Sequence, residues 1–271
     1  MATSSDYVLT TTDAELARLG LQHRLWSESA FAAWERAGFG LGQTIVDVGC
    51  GPGYASIDLA QLVGAKGKVI AIDEAARFIE HLQKAAAALG LGNIDARVED
   101  VRELKLDGAD ADGAYARWVL CFVDRPEDVV AGVVRGLRPG GRFVVQDYYH
   151  YEAVRLGPPA AILDTVISAV TEAWVGRGGD PEMGLRLPHM MVKHGLHIRE
   201  IRPLVRIAHG GSPLWNWPLT FFRNFLPVLE EMNLLTRAQT AEFLDLLQDY
   251  SGRSDTFFVT PPMLEIVAEK A

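Results

Sequence analysis

The residues equipped for chemistry in this chain start with Asp47. It lies inside the apolar run Ile45-Val46-Asp47-Val48, which stops at Gly49-Cys50-Gly51-Pro52-Gly53-Tyr54. A strand that breaks at glycines and passes at once into a helix brings backbone N–H groups and a helix N-terminus to the mouth of a sheet. Glycines 49, 51 and 53 carry no Cβ to hold a ligand away from the main chain. One helix and one more apolar run later, Lys68-Val69-Ile70-Ala71-Ile72 ends in Asp73. That is the distance at which an acid meets a ribose in nucleotide-binding βαβ units.

The glycine spacing also bears on which nucleotide. A dinucleotide site wants G-x-G-x-x-G, and here the third glycine comes one place early, with Tyr54 where a small residue is needed. The string VDVGCGPG, with an acid inside the strand, resembles the first motif of the class I S-adenosylmethionine-dependent methyltransferases. The resemblance implies S-adenosyl-L-methionine as cofactor, held by Asp47, Gly49, Gly51, Gly53 and Asp73. It extends to Glu99-Asp100-Val101, where the family sets an acid against the adenine amino group and the next N–H against a ring nitrogen, implicating Asp100 and Val101. Arg117-Trp118-Val119-Leu120 resembles the segment that runs along the methionine end, which adds Arg117. Leu137-Arg138-Pro139-Gly140-Gly141 resembles the family's tight turn before strand five. The likeness covers residues 40 to 150 closely and the remainder in outline.

These residues need a scaffold of alternating elements. Apolar runs at 45–48, 68–72, 94–98, 113–116 and 142–147 read as strands, and the segments 55–62, 75–89 and 126–136 between them read as helices. Such alternation argues for an α/β sheet with helices on both faces, whose ligands bind beyond the carboxyl ends of the strands. The family resemblance makes this a Rossmann-like sheet of seven strands with a helical cap. One domain is expected over 1–271, with a helical lid over 1–40, a cofactor-binding core over 41–150, and cap insertions near 152–178 and 212–255. The lid helix runs from Asp13 to Ala37 with Thr12 or Asp13 as cap, and Trp26, Phe31 and Trp34 read as packing residues. By family likeness Tyr7, Gln22 and Arg24 approach the cofactor. Further on, Asp180 caps a helix that has Pro181 in its first position and ends at Gly195. His197 to Ala208 reads as strand six, 213–250 as a helical pair, and Met263 to Glu269 as the reversed last strand of the family.

Methyl transfer from a sulfonium is an in-line displacement, so the protein's task is alignment and exclusion of water. A hydroxyl or amine nucleophile also gains from a base. His150, just past strand five, is the first candidate because it titrates near neutrality; Tyr149 and Asp147 are the alternatives. His189, beside Met190 and Met191, reads as cap packing. The other histidines show no metal-ligand spacing, and two cysteines imply neither a zinc site nor a disulfide framework. The formal net charge of −9 disfavours a polyanion partner, no apolar stretch reaches the length of a membrane span, and a basic apolar leader is absent from the N-terminus. A cytoplasmic enzyme of secondary metabolism fits, acting on an apolar or aromatic small molecule with no nucleic acid and no membrane partner. The aromatics Trp215, Trp217, Phe221, Phe222 and Phe225 serve that substrate, the insertion's own core or a homodimer interface. An RNA- or protein-methylating enzyme, or a cofactor-binding module without turnover, is the alternative.

Overall fold

The computed structural model describes residues 11–271. Ten strands and eight α-helices follow in chain order. The first half reads α1 (Asp13–Arg36), β1 (Thr44–Val48), α2 (Tyr54–Val63), β2 (Lys68–Asp73), α3 (Ala76–Ala88), β3 (Ile94–Val98), β4 (Ala111–Arg117), α4 (Pro126–Gly136) and β5 (Leu137–Tyr148). The second half reads β6 (Arg155–Gly157), α5 (Ala161–Val175), α6 (Met183–Lys193), β7 (Leu196–Leu204), β8 (Ile207–His209), α7 (Asn216–Glu231), α8 (Arg237–Ser251), β9 (Phe257–Val259) and β10 (Met263–Lys270).

Seven strands form one sheet in the order β3-β2-β1-β4-β5-β10-β7. β1 pairs in parallel with both β2 and β4, and β10 runs antiparallel between β5 and β7. Helices cover both faces, which is why the central strands carry unbroken apolar runs rather than alternating ones. Ile45, Val48, Val69, Ile72, Ala114 and Val144 are all fully buried. The expected seven-stranded architecture is the observed one, and the reversed last strand is β10.

The cap departs from expectation in two places. The stretch read as one strand over 197–208 is two strands in different sheets. After Leu204 the chain leaves the large sheet, and Arg206 pairs with Thr260, whose hydroxyl accepts the Arg206 N–H at 2.9 Å and whose own N–H reaches the Arg206 carbonyl at 2.9 Å. β8 then joins β9 and β6 in a three-stranded antiparallel sheet that ties the separate pieces of the cap together. The helix expected to begin at Pro181 begins instead at Met183. Asp180 spends its side chain on an Asx turn, accepting the Glu182 N–H at 2.9 Å, and so closes the loop rather than capping the helix.

The lid helix forms where its pattern places it, with the Thr12 hydroxyl accepting the Glu15 N–H. Trp26 and Trp34 are buried, whereas Phe31 is exposed. Trp26 sits edge-on to both Trp118 and Trp217, so the lid, the end of β4 and α7 meet at one aromatic joint.

Candidate functional site

The glycine turn after β1 does three different jobs. Gly49, Gly51 and Gly53 all have positive φ, a region open to glycine and strained for other residues. A Cβ on Gly49 would lie 2.6 Å from the Val119 side chain, and one on Gly53 would lie 2.3 Å from Leu82. Those two glycines therefore admit the protein's own side chains. Only at Gly51 would a Cβ meet nothing, and Gly51 borders a cavity of about 580 Å³ at the carboxyl end of the sheet. The backbone approach that the spacing predicts for three glycines is concentrated at one.

Asp73 holds this turn in place. One carboxylate oxygen accepts the Gly51 N–H at 2.8 Å and the other the Ala75 N–H at 2.9 Å. Each oxygen keeps a lone pair for a further donor. Burial pushes the Asp73 carboxyl up to about 6, against the pull of those two backbone N–H groups. Asp47 is enclosed more deeply, accepts the Ser56 hydroxyl at 2.5 Å, and is pushed up to about 7 by burial. Asp100 and Val101 border the same cavity. Asp100 caps the short turn 101–103 through the Arg102 N–H and is held below the usual carboxylate range by the Arg102 guanidinium.

At the end of β4 the chain turns through Trp118 at φ 54°, a left-handed conformation that is rare for a bulky residue and is held here by its surroundings. The Trp118 N–H reaches the Gln146 carbonyl at 3.0 Å, and the indole N–H contacts the Met263 sulfur. Arg117 lies over the Trp118 ring at 4.9 Å and reaches His23 and the Trp26 carbonyl. Because arginine can only donate, the His23 Nδ1 accepts from Arg117 at 2.9 Å, and Nε2–H is left to donate to Asp58 at 2.7 Å. Asp58 on α2, His23 on α1 and Arg117 on β4 thus form one chain of hydrogen bonds across the cavity wall.

Beyond this wall the cavity opens into the cap, where Trp174, Trp217, Phe221 and Phe225 line it together with Tyr148, Tyr151 and Arg18. Of the residues singled out from the sequence, Asp47, Gly49, Gly51, Asp73, Asp100, Val101 and Arg117 converge on the cavity, and Gln22 joins them. Gly53 stands behind the turn as the N-cap of α2. Tyr7 lies outside the described residues.

The candidates for a base are placed elsewhere. His150 is exposed, 3.6 Å from Glu182, and neither it nor Tyr149 borders the cavity. Neighbours along a strand face opposite ways, so Tyr149 points away from the inward-facing Tyr148, and His150 lies past the end of β5. Asp147 is consumed structurally, accepting the Cys121 N–H at 3.0 Å and the Tyr148 N–H at 2.9 Å. His189 is on the surface rather than packed in the cap. Sequence reasoning passed over Arg18 and His23, and from the segment Tyr148-Tyr149-His150-Tyr151 it selects the two residues that lie outside the cavity instead of Tyr148 and Tyr151. Arg18 and Gln22, four apart on a helix, share a face, a signal available from spacing alone. Among the described residues no three His, Cys, Asp or Glu side chains converge as metal ligands, and no helix is long and apolar enough to cross a membrane.

Comparison with known proteins follows the same outline. Residues 45–141 match the family described as the methyltransferase domain. The arsenite methyltransferase of Aquipseudomonas alcaligenes is 31% identical over 40% of this chain and 33% of its own length. The ubiquinone/menaquinone biosynthesis C-methyltransferase of Pseudomonas savastanoi pv. phaseolicola is 28% identical over 48% of this chain and 50% of its own length. The chain therefore spans half or less of these curated relatives. The solved structure of geranyl diphosphate methyltransferase with geranyl diphosphate and sinefungin superposes over 92% of this chain and 79% of its own, at 21% identity and a TM-score of 0.57. That last likeness is one of fold.

Proposed function

We propose that this chain transfers a methyl group from S-adenosylmethionine to an apolar or aromatic small molecule bound under its cap, a reading supported by the match of residues 45–141 to the methyltransferase domain family and by the seven-stranded sheet. The carrying observation is the continuity of the cavity. One space runs from the Gly51 turn and Asp73 to the aromatic walls of the cap. A cofactor on the sheet and an acceptor in the cap would share it and meet without passing through solvent.

The residues present fit the cofactor. Asp73 keeps acceptor capacity on both oxygens, which suits the paired hydroxyls of a ribose, and Gly51 leaves its backbone face open. Asp100 and Val101 would take the adenine edge, and Asp47 with Arg117 would stand at the amino-acid end. When bound, the sulfonium supplies an electrophilic methyl carbon. The protein's contribution is to hold the acceptor in line with it and to keep water out, and the aromatic cap supplies both. A base among His150 and Tyr149 has no support from their position outside the cavity.

The relatives point to small molecules of several kinds. The arsenite relative is the least compatible in chemistry, because this chain holds only Cys50 and Cys121, both buried, and only Cys50 borders the cavity. Thiolates are the soft ligands an arsenic centre would require. The quinone-pathway C-methyltransferase is more compatible with an aromatic chamber. An RNA or protein substrate would need an open, basic groove, and the acceptor end of this cavity is roofed by tryptophan and phenylalanine.

Calorimetric titration with S-adenosylmethionine and S-adenosylhomocysteine tests the first half of this reading. A radiolabelled methyl screen against phenols, quinols, amines and total RNA tests the second. Binding of both nucleosides with label entering an organic-extractable product is expected. Absence of binding, or label confined to RNA, would refute it.

A further inference from the structure

Tyr148 and Tyr151 are buried at the acceptor end of the cavity, with 7% and 6% of their surface exposed. Both line it. Their rings meet edge to face at 5.1 Å, and each also packs edge-on against Trp174. Neither phenolic hydroxyl has a hydrogen-bond partner among the described residues. Neither oxygen is sealed off in the way that the Trp26 and Trp215 indole N–H groups are, so both open onto the cavity and are free to donate to a ligand there. Burial raises both phenols above their ordinary range, although the nearby Arg18 charge pulls each one down. They are therefore neutral O–H groups at any physiological pH.

Arg18 borders the same space and is itself buried. Its Nε and one Nη hold both oxygens of Glu15 at 2.8 and 2.6 Å, and its other Nη donates to Gln22 at 2.9 Å. Three of its five N–H groups are thereby committed to described residues, which leaves two donors on a guanidinium that Glu15 keeps rigid. The set is thus two hydroxyls and a guanidinium with two donors to spare, surrounded by aromatic carbon; of the nearby carboxylates, Glu15 pairs with Arg18 and Asp147 turns its oxygens to the Cys121 and Tyr148 N–H groups. That combination favours an oxygen acceptor, best of all an anionic one, mounted on an aromatic ring.

We propose that Tyr148, Tyr151 and Arg18 form the subsite for the oxygen of a phenolic substrate and bind it preferentially as the phenolate. The two tyrosines are specificity-determining donors, and Arg18 supplies the charge that favours the anion. This rests on the methyltransferase reading above, which it deepens by naming the acceptor class.

The test uses 4-nitrophenol, whose ionised form has its own visible absorbance, titrated into the protein with and without S-adenosylhomocysteine below the pH at which the free phenol ionises. Nitrobenzene serves as the control ligand without the oxygen. The expected result is a phenolate band on binding. Tyr148→Phe or Tyr151→Phe should weaken 4-nitrophenol about threefold to tenfold, and the double variant by more than tenfold with loss of the band. Nitrobenzene should bind wild type and variants alike. Because each change removes only an unpartnered hydroxyl, the melting temperature should not fall. Wild-type affinity and band in the double variant would overturn the subsite, as would a melting temperature lowered by the loss of either hydroxyl. Failure of S-adenosylhomocysteine to bind would count against the methyltransferase reading instead, and the phenol titration without it would still report on the subsite.

Discussion

On the proposed function, Asp73 concentrates the chemistry of cofactor binding in one carboxyl group. It fixes the glycine turn through two backbone N–H groups and keeps acceptor capacity on both oxygens. Replacing it with alanine strands both the turn and the bound hydroxyls, and S-adenosylhomocysteine affinity is expected to drop at least tenfold by calorimetry. Since the Asp73 carboxyl is raised to about 6 in the free protein, and hydroxyl donors favour its ionised form, binding should release a proton. Affinity is then expected to rise between about pH 5 and about pH 7, and the Asp73→Asn variant should flatten that slope. Gly49 presents the opposite case. Its Cβ would collide with Val119 and its φ is 64°, so Gly49→Ala should cost on the order of 1–3 kcal/mol in urea denaturation. His150→Ala should leave kcat within about twofold, as for other exposed positions away from a site. A larger loss would mean that the surface histidine takes part after all.

At the scale of elements, the lid helix is the part on which the site depends without belonging to the sheet. α1 delivers Arg18, Gln22 and His23 to the cavity and Trp26 to the joint with Trp118 and Trp217. Two arginines anchor it to distant parts of the chain. Arg36 near its end pairs with Glu200 at 2.9 Å and with the buried Glu265, and Arg206 from the strand-to-strand crossing bonds the Leu25 carbonyl and stacks on Trp26. Glu265 is in turn satisfied by the Gln146 amide at 2.7 Å, which links the lid to β5 and β10. Trp26→Ala would empty the joint and is expected to cost about 3–5 kcal/mol, read from the shift of the urea midpoint. It should also weaken aromatic ligands, because α1, β4 and α7 lose their common contact.

Over the whole molecule the buried acids set a pH dependence that the surface opposes. Asp47, raised to about 7, and Asp73 and Asp147, each raised to about 6, bind protons more readily folded than unfolded. Their contribution to stability is complete below the unfolded carboxylate range and is lost as the pH climbs through those values. Asp95 is lowered to about 2, mainly by its hydrogen bond to Arg97, and contributes in the other direction, its share disappearing as the pH falls. The free protein should therefore melt highest in mildly acid solution and lose stability between about pH 5 and about pH 8 by calorimetric scan. Saturating S-adenosylhomocysteine should recover more of that loss at the upper end, where Asp73 is ionised and paired.

How far the amino-acid order alone reached follows from the range of the interactions involved. Alternating apolar runs, the glycine turn and the acid 26 residues after Asp47 are local or nearest-neighbour features, so an α/β sheet and the placing of Asp47 and Asp73 at one end of it could be read from spacing, whereas Asp100 and Arg117 came from the family resemblance. The acceptor side was legible only in its aromatic composition at Trp217, Phe221 and Phe225, because its wall is assembled from α1, the end of β5, α5 and α7, segments spread from residue 18 to residue 225. Which of Tyr148, Tyr149 and His150 faces inward depends on strand register, and a step of one residue reverses it. Only the pairing of Met263 with Tyr148 across β10 and β5, and the folding of the lid over them, turned Tyr148 toward the cavity and left His150 in solvent.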